Sequence, residues 1–434
     1  MISAEQGERW VSSHRDQVPQ IQGALKAIAE TLWAQRTMLS PDLASGLAGA
    51  ALFLGYLSRR PGFEGAKPQA EALLELAIEG IARAPRPSLY AGFVGLAWCI
   101  EHLNGRVLDA QAEDPNADVD EILLDILQVD GWDAEYDLIS GLVGIGVYAL
   151  ERCPRPTGMA ILDRILHHLE RLAIPRGPGL AWPTPPERLP PWQRRLSPQG
   201  YLNMGLAHGA PAVLLLLAAM QRVGLDPGRT SPLLAGGMAW FMDQIQTPDG
   251  PGYLAGWCPM EEARVSQGPG RIAWCYGDLG ASVAMLQTAR LAGEAAWEEV
   301  ALDIARRAAV RPVAEAGVMD VGLCHGSAGN LHVFHRLYRM TGEPIFQDAA
   351  GRYLQHVLAS RVPGSGFAGF TAYRPPFDED GATLECGQPH VPAPGLLEGA
   401  AGVGLALLAT LDPADPSWDR FLLLSTPLPV LPKA

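Results

Sequence analysis

In the stretch LCHGSAGN, residues 323–330, a cysteine stands directly before a histidine, and two glycines three apart follow. Three readings are open: a metal corner, a nucleophile beside its base, or a tight turn before a helix. Neighbouring side chains rarely align for proton transfer, so a base for Cys324 would have to arrive from elsewhere in the fold, which weakens the second reading. A metal corner needs further donors, and Cys275 in RIAWCYGD (271–278) offers one. Two thiolates and one imidazole from Cys275, Cys324 and His325 make a three-ligand zinc site with a fourth position open, the layout of catalytic rather than structural zinc. Gly326 gives the backbone the freedom to bring adjacent Cys and His side chains to one ion. Cys386 and His390 in ECGQPH sit in a Pro/Gly-rich stretch and read as a solvated loop. His332 and His335 read as partly buried, hydrogen-bonded helix residues, and His167 and His168 as part of an outer helix surface.

The elements that must position these residues come from an internal repeat. A glycine, two residues and a second small residue recur as SGLAG (45–49), AGFVG (91–95), SGLVG (140–144), HGAPA (208–212), YGDLG (276–280), HGSAG (325–329) and EGAAG (398–402). The first glycines, Gly46, Gly92, Gly141, Gly209, Gly277, Gly326 and Gly399, recur at the period of a helical-pair repeat. Each motif opens a segment apolar on nearly all sides, as in LAGAALFLGYL (47–57), which predicts a helix buried all round. Between motifs lie amphipathic segments such as AILDRILHHLERLAI (160–174), with Ile161, Ile165, Leu169 and Leu172 at helical spacing. Seven buried helices alternating with seven amphipathic ones close most simply into an all-α fold, an α/α toroid with seven inner and seven outer helices. One domain is expected over 1–434, with long rim loops near 175–201, 247–270 and 361–395. The acidic stretch 109–121 reads as a mobile loop.

If the motifs share one rim, the polar residues beside them become neighbours. Motif three brings Asp137 in YDLISG, motif four His208 in LAHG, motif five Arg271, Cys275, Tyr276 and Asp278, motif six Cys324 and His325, and motif seven Glu398. Composition narrows the partners. A formal charge of −14 with only 33 Lys and Arg argues against a nucleic-acid binder and suits a cationic peptide. The longest apolar run, at 210–220, is too short to span a bilayer, and the N-terminal residues have no signal-like apolar region, so a soluble cytoplasmic protein is expected. Six cysteines without disulfide-scaffold spacing fit reduced thiols. No phosphate loop or dinucleotide fingerprint is present.

Seven GxxG-type repeats with YDLISG, LAHG, WCYGDLG and LCHGSAG in this order resemble the lanthionine synthetase C-like family, the cyclases of lanthipeptide biosynthesis, over about residues 10–410. The resemblance implies one Zn2+ per chain on Cys275, Cys324 and His325, an active-site histidine at His208, an aspartate at Asp137, an arginine at Arg271 and a pocket tyrosine at Tyr276. It also implies the reaction, a lyase-class C–S bond formation. A peptide cysteine adds to a dehydroalanine or dehydrobutyrine and closes a lanthionine or methyllanthionine thioether ring. Zinc would hold the attacking sulfur as thiolate, Arg271 would stabilise the enolate, and His208, oriented by Asp137, would deliver the proton. The implied partner is a dehydrated precursor peptide, with a lanthipeptide dehydratase as a second candidate. Addition of glutathione or another thiol to dehydrated residues, prenyl transfer to a peptide thiol, and a non-catalytic scaffold for leader peptide or dehydratase are the competing readings.

Overall fold

The computed structural model describes residues 4–83, 85–245, 252–265, 268, 270–376 and 389–427. Its helices are α1 (Ala4–Ser13), α2 (Val18–Ala34), α3 (Leu47–Leu57), α4 (Ala66–Ile81), α5 (Phe93–Leu103), α6 (Ala117–Ile126), α7 (Leu142–Arg152) and α8 (Pro156–Leu172). They continue as α9 (Pro191–Leu196), α10 (Ala210–Arg222), α11 (Pro227–Asp243), α12 (Asp278–Ala292), α13 (Ala295–Val310), α14 (Ser327–Thr341), α15 (Pro344–Ala359) and α16 (Ala400–Leu411). Short strands β1 (Ile174–Arg176), β2 (Gly179–Ala181), β3 (Pro183–Thr184), β4 (Tyr201–Asn203), β5 (Trp257–Pro259), β6 (Ala372–Tyr373) and β7 (His390–Val391) lie outside the helical layers.

Each motif glycine stands immediately before a helix: α3, α5, α7, α10, α12, α14 and α16. These helices contact one another in sequence order, and α16 returns to α3, so the ring is closed. All residues of α3, α7 and α16 are buried, as expected of helices with apolar faces on every side. Outside them, α4 packs on α3, α8 on α7, α11 on α10, α13 on α12 and α15 on α14, while α2 completes the layer on α16. The outer helices are one-sided: α2 buries Ile21, Ala24, Leu25, Ile28, Ala29 and Leu32 and leaves its other face to solvent. The fold is the all-α toroid that the repeat implies. The outer layer is less regular than alternation suggests, because α6 rests on α8.

A glycine is required at the junctions because the chain folds back on itself there. A Cβ at Gly280 would stand 1.8 Å from the carbonyl oxygen of Trp274, six residues upstream. Gly277 also needs a φ of +83°, which side-chain-bearing residues rarely adopt. Motif four carries Ala212 in place of the second glycine, and there the Ala212 N–H donates to Gly209 O at 3.3 Å, whereas Gly280 and Gly329 donate to the carbonyl seven residues upstream, Ala273 O and Gly322 O.

The crook in each motif lets its neighbours bond to one another around the rim. Ala44 N–H donates to Tyr90 O, Leu138 to Ala207, Ala207 to Cys275, Cys275 to Cys324, Cys324 to Leu397, and Leu397 back to Ala44. Between motifs two and three the Ser88 hydroxyl donates to Ile139 O. With Leu138 beside Ile139 in motif three, the residues of this belt stand two positions before each first glycine.

Two sequence expectations need correction. The acidic stretch 109–121 is a pinned element instead of a mobile loop: it runs into α6, and Arg152 of α7 draws Asp120 (2.6 Å), Asp114 (2.5 Å) and, from α5, Glu101 (2.8 Å) together. His168 is a buried residue bonded to Leu127 O at 3.0 Å, because α6 and the turn after it cover that face of α8. His332 is buried on α14 with Nε2 2.8 Å from Asp419, and His335 is buried beside Trp10. His390 lies exposed on β7, whereas Cys386 falls outside the described residues. No helix among the described residues is long and apolar enough to cross a membrane.

The axis of the ring is filled by the segment after α16. Trp418, Asp419, Phe421 and Leu422 are buried there, and the carbonyls of residues 421–423 accept from Tyr90 Oη (2.8 Å), Trp274 Nε1 (2.9 Å) and Gln287 Nε2 (3.0 Å). Asp419 accepts from Arg336 and from Ser425 Oγ (2.6 Å), and Arg420 pairs with Glu151 at 2.8 Å. Replacing Asp419 takes the carboxylate from the buried Arg336 Nε and from His332, leaving Arg336 only Asp415 and the Pro416 carbonyl. Asp419→Ala should therefore lose about 3–5 kcal/mol of stability, read as a lowered midpoint in urea denaturation. A midpoint within error of the parent would remove the pair from the account.

Candidate metal centre and adjoining cleft

Cys275, Cys324 and His325 converge at the rim, and one donor atom from each lies within 4.8 Å of the other two. The belt brings them together: Cys275 N–H donates to Cys324 O at 3.2 Å, so the two cysteines occupy adjacent positions of one hydrogen-bonded ring. Cys275 is buried, and Cys324 and His325 are partly exposed. Two sulfurs and an imidazole at this spacing are a soft, nitrogen-and-sulfur donor set that suits zinc.

The two thiols interact directly, and the interaction drives their pKa values apart. The hydrogen bond from Cys324 draws Cys275 well below the usual thiol range against the opposing effect of burial, helped by His325 and the Arg271 charge. Cys324 is pushed well above it by the same interaction and by burial. Burial opposes charging of His325, but the Cys275 sulfur and Asp320 outweigh it and raise its pKa.

Asp320 was not singled out by the sequence motifs. It is buried, with Oδ1 accepting from Gly322 N–H (3.0 Å) and Oδ2 from Tyr373 N–H (3.0 Å), and Oδ2 stands 3.9 Å from His325 Nε2. A carboxylate in that place can orient a metal-binding imidazole. The repeat carries a signal for it: six residues before the first glycine stand Glu135, Asn203, Arg271 and Asp320 in motifs three to six.

Beside the corner, His208 Nδ1 hydrogen-bonds Asp137 Oδ2. Asp137 is buried, while the imidazole keeps 40% of its side-chain surface open. Burial alone would lower the His208 pKa, but the bond and charge of Asp137, with a smaller effect from Cys275, raise it above 6.5. Asp137 Oδ1 also accepts the Ser140 N–H at 2.8 Å, so this carboxylate closes its local turn as well as holding the imidazole. Tyr276 lies roughly parallel to His208, centroids 6.2 Å apart, and its hydroxyl accepts from Asn203 Nδ2 at 3.0 Å. Arg271 is exposed on the rim and close enough for its charge to favour the Cys275 thiolate. The seven residues that the resemblance implies, Asp137, His208, Arg271, Cys275, Tyr276, Cys324 and His325, thus fall on the same rim, at motifs three to six. Asp278 does not join them: it is buried at the start of α12, accepting from Tyr253 and Leu254 N–H and pairing with Arg311 at 3.2 Å. Glu398 pairs with Arg374 at 2.8 Å, on the far side of Cys324.

Two insertions fold over the cleft as one sheet, β3–β4–β5, which joins the segment before motif four to the segment before motif five. A cavity of about 340 Å³ lies beneath, bounded by His208, Asp137 and Tyr276 on one side and by Thr184, Arg188 and Gln193 on the other.

Two outcomes follow from this geometry. Zinc titration of the metal-free protein should reach one equivalent, and Cys324→Ala should abolish binding; full occupancy in that variant, measured by elemental analysis, would sink the ligand assignment. His208, held by Asp137, has a raised folded-state pKa. Its stabilising contribution is therefore full below the unfolded value of about 6.5 and fades as pH rises through the folded value. Asp137→Asn should bring the imidazole pKa down, visible in NMR titration of the His208 ring protons.

Over residues 37–423 the sequence matches the family described as "Lanthionine synthetase C-like protein". Among solved structures, one titled "Nisin cyclase" superposes with a TM-score of 0.74 at 21% identity, covering 93% of this chain and 97% of that one. Identity at that level establishes the shared fold.

Proposed function

The chain belongs to the lanthionine synthetase C-like family, and from that premise we propose that it is a zinc-dependent lanthipeptide cyclase. Its substrate would be a dehydrated precursor peptide, whose cysteine thiols add to dehydroalanine or dehydrobutyrine to give lanthionine or methyllanthionine rings. The observation that carries this reading is the Cys275, Cys324 and His325 donor set standing beside a carboxylate-paired histidine at one rim of the toroid.

Cys275, Cys324 and His325 would hold the zinc. When bound, the ion supplies the Lewis acidity that keeps a thiol deprotonated at neutral pH, where a free thiol of pKa about 8.5 is mostly protonated. The remaining work belongs to the protein. His208 takes the proton that the substrate sulfur gives up, and its raised pKa keeps that proton bound until the new C–S bond leaves negative charge on the dehydro residue. The same proton then goes to the α-carbon, so the reaction is balanced without any further reagent. Asp137 fixes the imidazole tautomer with Nδ1 facing the carboxylate and leaves Nε2 free for the exchange. Arg271 supplies a guanidinium from the open rim to the enolate oxygen, where charge exists mainly in the transition state. Tyr276 accepts from Asn203, so its own hydroxyl proton is available to the peptide in the cleft.

The zinc-loaded protein, incubated with a dehydrated cysteine-containing peptide, should leave the peptide mass unchanged while removing a thiol from the reach of an alkylating reagent. Added mass would indicate transfer of glutathione or a prenyl group, and an unchanged alkylation count would indicate a scaffold. His208→Ala should retain zinc yet slow ring closure about 10²–10⁴-fold, the range of a lost general acid or base. Unaffected turnover would take His208 out of the mechanism.

A further inference from the structure

The cavity beside His208 has a feature that proton transfer does not use. Glu135 lies on its wall with 34% of its side chain open. Its nearest cation, Arg188 Nε, is 3.9 Å away, and no hydrogen bond reaches its carboxylate among the described residues. The two terminal nitrogens of Arg188 are engaged elsewhere. Its Nη2 pairs with Asp133 at 2.9 Å and its Nη1 donates to Ala134 O, so the guanidinium serves to fasten the segment before motif four onto the loop before motif three. Besides these two residues, the charged groups facing the cavity are Asp137 and His208, which satisfy each other. Polar neighbours such as Thr184, Gln193 and Tyr201 are neutral. The local balance is therefore a carboxylate short of a partner, in a space sized for a side chain and the backbone that carries it.

We propose that this cavity is a subsite for a lysine or arginine side chain of the substrate peptide, with Glu135 as the residue that recognises it. The proposal rests on the cyclase reading for the identity of the ligand as a peptide, but its chemistry is independent of ring closure. Glu135 occupies the same repeat position as Arg271, six residues before the motif glycine, so both side chains flank the place where the peptide must lie. A partly buried carboxylate that gains a cation in place of water forms a charge-assisted hydrogen bond, among the stronger polar contacts a cleft can offer. An anionic side chain would instead meet Glu135 and Asp137, with the Arg188 Nε that already faces Glu135 at 3.9 Å as the guanidinium donor turned to that wall. Burial and the Asp137 charge already raise the Glu135 pKa, in keeping with a site built to hold an opposite charge.

The test uses binding. Fluorescent synthetic peptides holding one dehydroalanine and no cysteine cannot cyclise, and lysine or norleucine is placed in turn at each of the three positions on either side of the dehydroalanine. With the parent protein, at least one placement should favour lysine about tenfold in Kd, and Glu135→Gln should erase that preference while leaving the norleucine peptides unchanged. Glu135→Lys should favour a glutamate peptide at the same placement. Equal affinity for lysine and norleucine at every placement, or a preference that survives in both variants, would overturn the proposal. If the lysine preference stands while the cyclisation assay fails, the subsite holds and the reaction assignment falls; the opposite pair of results removes the subsite alone.

Discussion

The belt of hydrogen bonds around the rim is the constraint on which the rest of the molecule depends. Each motif contributes one turn that donates to the next, through the Ser88 hydroxyl between motifs two and three, and the last returns to the first. The backbone bond from Cys275 N–H to Cys324 O (3.2 Å) holds the two cysteines close enough for their sulfurs and the His325 imidazole to lie within 4.8 Å of one another. Cysteines at two successive belt positions therefore form a corner shaped by the same turn that every motif carries. The next position along, directly before each glycine, carries His208, Tyr276 and His325 in motifs four, five and six. The chemistry is a set of substitutions on a symmetric frame, concentrated in one half of the ring.

The frame is held by two unlike kinds of energy. Apolar burial of the inner helices is continuous and tolerant, whereas the charges inside the ring are few and exacting. Arg152, Arg336 and Asp419 are each almost wholly removed from solvent, and each is matched by several partners. Such networks give less net stability than their contacts suggest, because desolvation offsets attraction. They do fix position. Trp274 and Tyr90 each donate a hydrogen bond to the axial segment, and Trp274 is the residue immediately before Cys275. The filling of the axis thus reaches the metal corner through a single peptide unit.

Most of the frame was legible in the sequence because it is periodic. Seven glycines at a helical-pair period announce seven junctions, and the residue types beside them announce which junctions hold chemistry. What escaped was contact between residues with no periodic relation. Asp120 looked like one of many acidic residues until Arg152 met it across 32 positions, and His168 looked like surface until α6 covered it. The segment SWDRFLLL reads as a short apolar tail, and nothing local says that it enters the ring. Asp320 and Glu135 stood at a repeat position that becomes visible only after the backbone shows each motif glycine pressed toward the residue six before it. Ala212 was the one visible irregularity, and there the backbone bond turns from the upstream carbonyl to Gly209 O.

The axial segment also sets an order of events during synthesis. Its partners come from α3, α5, α7, α12 and α14 and from the residues just before α5 and α12, all of which leave the ribosome earlier. Arg336 on α14 must wait for its carboxylate partners until Asp415 and Asp419 have emerged. Closure between the first motif and the seventh likewise joins residues separated by most of the chain, the kind of long-range contact that slows folding. A nascent chain ending at residue 411 would hold every inner helix and both belt cysteines, yet it would be a ring without its axle.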